Sequence, residues 1–182
     1  MVDDPIAIRM AVEASVADDP SRRLIPEMGV CQGAGRIDLA VIGDTLEGFE
    51  IKADRDDLSR LPSQVTTFAL VFDRLTLVTV SRHLESAAHA VPAWWGLRSV
   101  EPDGSIAIIR APELNLAVDP IAVAGLLWRD EALTLLRAQG HRGRRGTRHD
   151  FCRELAISST PDEIRSMVAR TLRERSSWRA AG

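Results

Sequence analysis

One lysine stands among 23 basic side chains, two cysteines are spread through 182 residues, and no apolar run is long enough to span a bilayer. Each shortage excludes something. Cys31 and Cys152 lie far apart without CxxC spacing, so they form no zinc site by themselves and read as reduced, ordinary thiols. A membrane helix needs roughly 18 or more consecutive apolar residues, and none occurs. The opening "MVDDP" is acidic where a secretory signal would be basic and then apolar, which predicts a cytoplasmic protein. A net charge of −3 argues against a generic polybasic binder of nucleic acid.

The apolar fraction of 45% and the charged fraction of 27% suit a soluble globular chain, and 182 residues suffice for one domain with its own core. Charge is unevenly distributed: the net is −9 over residues 1–136 and +6 over residues 137–182. The C-terminal quarter is therefore the part prepared to meet an anion. No internal repeat occurs.

Asp4 followed by Pro5 is a helix start, and the helix is expected to run to Ala17. The apolar "LIPEMGV" leads into "CQGAGR", a loop opening onto a strand. "RIDLAVI" and "LEGFEIKA" alternate as strands on either side of "GDT", which predicts a hairpin. Ile37, Leu39 and Val41 would share one face, as would Phe49 and Ile51. A first turn at "DDLSR" and a helix from near Pro62 follow, because proline is tolerated at a helix start and costs about 3 kcal/mol inside one. "RLTLVTV" reads as a buried strand, and "VPAWWGLRSV" with "SIAIIRA" as a second hairpin across "EPDG". One helix is expected from about Asp119 to Gln139, then the loop "GHRGRRGTRH", then a helix from about Pro161 capped by Ser159 or Thr160 with Glu163 in its first turn. Trp94 and Trp95 read as packing anchors, Trp128 as core, and no histidine as a metal ligand.

The lone lysine lies in "GFEIKAD". Residues two apart on a strand share a side, so Glu50 and Lys52 project together, opposite Phe49 and Ile51. If "GDT" joins Ile42 to Leu46, Asp38 falls across from Glu50 with the Cβ atoms about 5 Å apart. Facing carboxylates repel unless a cation separates them, and oxygen ligands suit a hard metal such as Mg²⁺. A lysine beside them would position water and offset charge on a phosphate. On spacing alone, an ExK pair on a strand face is usually a solvated ion pair worth about 0–1 kcal/mol.

"GRIDLAVIGDTLEGFEIKADRDDLSRLPSQVTTF" resembles the core of the PD-(D/E)XK nuclease superfamily over roughly residues 22–81. The wider likeness, to small stand-alone bacterial members, runs to "RERSSWR". The resemblance implies a restriction-endonuclease-like α/β fold: a central mixed sheet flanked by helices in a core of residues 1–118, with a helical, Arg-rich extension over residues 119–182 packed on the same domain. It implies an Mg²⁺-dependent deoxyribonuclease, with Mn²⁺ as a substitute cofactor. Asp38, Glu50, the Ile51 backbone carbonyl and Glu27 would hold the metal, Lys52 would assist water, and Gln64 would orient Lys52 or substrate. Phe68 stands where several subfamilies have tyrosine, so any role for that hydroxyl is lost, and Ile37 replaces the nominal proline.

Arg142, Arg144, Arg145 and Arg148 in the glycine-rich loop are expected to follow a phosphate backbone without reading sequence. The arginines beyond, from Arg165 to Arg179, read as a solvated helix face paired with Glu163 and Glu174. DNA is the expected partner, beside a second copy of the chain or an accessory protein. The alternative is a module of the same fold that holds nucleic acid or a partner protein without cutting.

Overall fold

The structure is a computed structural model that describes residues 4–141 and 145–176. Six strands form one sheet in the order β1-β2-β3-β4-β5-β6: β1 Arg23–Val30, β2 Gly35–Ile42, β3 Leu46–Lys52, β4 Arg74–Val80, β5 Gly96–Val100 and β6 Ile106–Arg110. The β3–β4 and β4–β5 pairs are parallel and the others antiparallel. The helices are α1 Pro5–Val16, α2 Leu61–Ala69, α3 Leu84–Ala90, α4 Pro120–Ala124, α5 Arg129–Ala138, α6 Arg148–Ser158 and α7 Pro161–Glu174.

The turns follow the local chemistry. Ile42 pairs with Leu46 across "GDT", as the alternation demands. Asp4 caps α1 by accepting the Ile6 N–H at 3.0 Å, and Pro62 sits in the first turn of α2 after a short 3-10 turn at Leu58–Arg60. Thr160 and Glu163 close a reciprocal cap on α7. The parallel β3–β4 pair is clamped at its start by Asp73, whose carboxylate accepts the Leu46 N–H at 2.8 Å while its own N–H donates to the Leu46 carbonyl at 2.8 Å. Gly48 leaves room for the chain that joins α2 to β4 and for β4 itself: a Cβ there would lie 2.8 Å from Leu75 Cδ2 and 3.1 Å from Phe72 Cγ.

Two apolar layers cover the sheet. Phe68, Phe72, Leu75, Leu77, Trp95 and Leu97 join the inner faces of α2 to α7 in the larger core. On the opposite face, Ile8, Val12 and Val16 of α1 pack on Leu39, Val41, Phe49, Ile51 and Val78. Burial of these side chains at about 1.5–3 kcal/mol each supplies the main drive to fold.

The expected shared face of Ile37, Leu39 and Val41 does not hold. Leu39 and Val41 face α1, whereas Ile37 belongs to the larger core. The neighbouring strand shows the same reversal, because Ile25 and Met28 both reach the larger core although they lie three apart. The switch falls at Glu27, whose φ of 54° is left-handed, and the regular β1–β2 pairing skips from Pro26↔Leu39 to Met28↔Ile37 around it. Both strands thus turn over at the Glu27–Asp38 position.

Three further expectations are corrected. Residues 119–139 form α4 and α5 instead of one helix, broken at Gly125–Trp128, where the Trp128 N–H turns to donate to Glu131 Oε2 at 2.6 Å. Trp128 is half-buried outside either core and carries the Arg175 guanidinium 4.2 Å above its ring. Three arginines on and just after α7 pair elsewhere than with Glu163 and Glu174: Arg165 with Asp162 and Asp73, Arg173 with Asp44, and Arg175 with Glu131, while Arg179 lies outside the described residues.

Candidate functional site

Where β2 turns over, it also parts from β3. Regular pairing ends at Leu39↔Phe49, and beyond it the Asp38 carboxylate, instead of a strand carbonyl, accepts the Ile51 N–H at 2.7 Å. The gap opens a cavity of about 400 Å³ between α1, the β2–β3 fork and the start of α2. Glu27, Asp38, Glu50, Ile51, Lys52 and Gln64 all line it. Arg9, Arg36, Asp56 and Arg60 join them, and sequence reading did not anticipate these four. Arg36 was within reach of the reasoning, since it stands two residues before Asp38 on the same strand.

Glu50 and Lys52 are nearly inaccessible, at 2% and 4% exposure. Lys52 Nζ donates to Glu50 Oε1 at 2.7 Å, and Gln64 Nε2 donates to the same oxygen at 2.5 Å. The other oxygen, Glu50 Oε2, and Gln64 Oε1 are buried without a hydrogen-bond partner among the described residues. Burial, reinforced by the Asp38 charge, pushes the Glu50 carboxyl up to about 7, against the pull of Lys52 and Gln64. Burial likewise raises Asp38, while the Ile51 N–H and Lys52 act to lower it. Glu27 is held by Arg9 at 3.2 Å and Arg36 at 2.9 Å, and Asp56 accepts the Ala53 N–H at 2.7 Å.

A second feature lies at the start of α6, a helix absent from the sequence reading. Its signal was Thr147-x-x-Asp150, a reciprocal cap with Asp150 Oδ2 accepting the Thr147 N–H at 2.8 Å, hidden at the end of an Arg/Gly run. Arg145, Arg148, His149 and Arg153 are exposed around this end, and none of the four makes an ion pair among the described residues. Arg148 is fixed by backbone, its guanidinium donating to the Leu127 carbonyl at 2.7 Å and to the Gly125 carbonyl. Arg142 and Arg144 lie outside the described residues. Asp150 offsets the positive end of the helix dipole, but the arginines around it add to that end and outnumber it, so the local field favours an anion.

The family model for bacteriophage P4 protein cII matches residues 8–180. Protein cII of Enterobacteria phage P4 is 26% identical over 155 residues, covering 84% of this chain and 59% of that protein. The chain thus spans less than two thirds of the length of that relative. No solved structure matches the chain. The chain belongs to the bacteriophage P4 cII family.

That membership corrects the resemblance on which the nuclease reading stood. The chain is placed in the P4 cII family and not in the PD-(D/E)XK superfamily, and the restriction-endonuclease-like assignment gives way to a general α/β fold with a mixed six-stranded sheet. The metal-dependent deoxyribonuclease and its Mg²⁺ or Mn²⁺ cofactor fall with it. The described residues contain no group of three or more His, Cys, Asp or Glu disposed to hold a metal ion. The physical reason is that Asp38 is spent on the Ile51 N–H, Glu27 on two arginines, and one Glu50 oxygen on Lys52 and Gln64. No helix among the described residues is long and apolar enough to cross a membrane.

Proposed function

We propose that this chain is a cytoplasmic DNA-binding module that holds nucleic acid without cutting it, as a regulatory protein does by occupying its site. The observation carrying this reading is the cationic end of α6, where Arg145, Arg148, His149 and Arg153 are exposed and make no ion pair among the described residues, outnumber the first-turn Asp150, and stand where the helix dipole has the same sign. Residues 137–182 carry a net charge of +6 in sequence, although Arg165, Arg173 and Arg175 are paired with Asp73, Asp44 and Glu131 outside that stretch. Such a surface meets phosphates, which supply affinity and salt dependence with little base selectivity.

Fluorescence anisotropy with labelled duplex and single-stranded DNA tests this. Binding is expected to weaken with salt, the logarithm of affinity falling with a slope of about 0.9 for each phosphate contacted on duplex. Arg145→Glu combined with Arg153→Glu is expected to lower affinity at least tenfold, and the DNA is expected to stay intact in Mg²⁺. Salt-independent binding, or cleavage abolished by Glu50→Ala, would sink the proposal.

A further inference from the structure

The cavity beneath α1 is built of side chains that the phosphate surface does not use. Glu50 and Gln64 line it, and Glu50 Oε2 and Gln64 Oε1 are buried with no donor among the described residues. An unsatisfied buried polar atom is costly, so a ligand bringing N–H groups to this point would relieve two such atoms at once. Beside them, Lys52 Nζ has three N–H donors and spends one on Glu50, which leaves it able to donate to a ligand carbonyl. The floor therefore asks for a group with adjacent N–H donors next to a carbonyl oxygen.

The mouth asks for something else. Arg36 is largely exposed on one side of the opening, and Arg60 on the other makes no ion pair among the described residues. Guanidiniums there would repel a cationic ligand and attract a phosphate. Ile6 on α1 lines one wall, 58% exposed and without an apolar cover. A flat ring with polar edges would cover it. A volume of about 400 Å³ lies within the range of ligand cavities.

We propose that this cavity receives an unstacked guanine base, with Glu50 and Gln64 accepting from its N1–H and N2–H groups, Lys52 donating to O6, and Arg60 and Arg36 meeting the adjacent phosphate. The inference rests on the DNA-binding reading, which supplies the strand. Guanine fits because its Watson–Crick edge carries a carbonyl followed by two donors. Thymine brings one donor, its N3–H, and would turn a carbonyl oxygen toward the second acceptor, and adenine and cytosine each bring a single amino group. A base read in this way must leave the stack, which favours single-stranded or mismatched positions.

The test is calorimetric titration of the full chain with 5′-dGMP, dAMP, dCMP and dTMP in EDTA, beside anisotropy with a DNA oligonucleotide. We expect dGMP to bind at least tenfold more tightly than dTMP, and Glu50→Gln and Gln64→Leu each to weaken dGMP at least tenfold. Both variants should keep a cooperative melt and the salt-dependent oligonucleotide binding, whereas Arg145→Glu with Arg153→Glu should do the reverse. Four nucleotides binding alike, none binding, or binding that appears only when Mg²⁺ replaces EDTA overturns the inference and leaves the phosphate surface standing. Selective dGMP binding with no affinity for DNA would instead retain the base site and remove the DNA-binding reading.

Discussion

Replacing Arg175 by alanine is expected to destabilise the protein by about 3–5 kcal/mol, read as a lower urea midpoint at unchanged slope. Its guanidinium is a fork on Glu131, with Nε 2.8 Å from Oε1 and Nη2 2.6 Å from Oε2. Nη2 also donates to the Leu126 carbonyl at 3.1 Å, and the plane lies over Trp128. The side chain is 3% exposed, so its loss leaves the Glu131 carboxylate, at 18% exposure, without its counter-ion. Glu131 is also the group that turns the chain between α4 and α5 by accepting the Trp128 N–H. One substitution therefore loosens the end of α7 and the start of α5 together. Arg175→Lys keeps the charge but not the fork and should cost an intermediate amount. Arg173→Ala is the internal control, because its partner Asp44 is wholly exposed and its loss should change little. Equal effects at Arg173 and Arg175 would refute the buried anchor.

The contrast between these two arginines shows what a sequence can and cannot carry. Spacing placed both on the polar stretch at the end of the chain, and nothing in "LRER" distinguishes the exposed side chain from the buried one. The difference is made by Glu131 and Trp128, more than forty positions away. Local chemistry was legible where the whole cause is local: the "GDT" turn, Pro5 and Pro62 at helix starts, and the Thr160–Glu163 cap. It failed where backbone conformation intervened, as at Glu27, whose positive φ turns two strands over and defeats simple alternation.

The candidate site divides in the same way. Strand periodicity put Glu50 and Lys52 on one side, and the turn set Asp38 near them, so the cavity contains the residues that the motif singled out. What those residues face comes from α1 and α2, and three ionisable side chains at familiar spacing did not identify the family. Arg9, Arg36 and Arg60 change the chemistry of the cavity from an acidic cluster to a balanced one. The α6 surface was only half legible, since the arginines were visible as charge while the helix that orients Arg148 and Arg153 was not.

Stability should fall as pH rises from about 4.5 to about 7, and the buried Glu50 carboxyl is the reason. Its folded-state value lies near 7 against 4.5 for the free side chain, chiefly through burial and then through the Asp38 charge. Between those values the unfolded chain has lost the proton and the folded chain keeps it, so raising pH favours unfolding. Above about 7 both states are ionised and the dependence levels off. The span corresponds to at most roughly 3 kcal/mol from this group. Burial raises Asp38 and Asp73 as well, and their contributions have the same sign. Exposed caps such as Asp57 and Glu163 are lowered by their own hydrogen bonds and act oppositely, losing stability as pH falls through the acidic range. Urea midpoints measured from pH 4.5 to 8.5 would show the decline, and Glu50→Gln should flatten it. Lys52→Met removes the charge that holds Glu50 down and should carry the decline to higher pH. A midpoint that rises between pH 5 and 7, or a decline unchanged in Glu50→Gln, would assign the buried charge elsewhere.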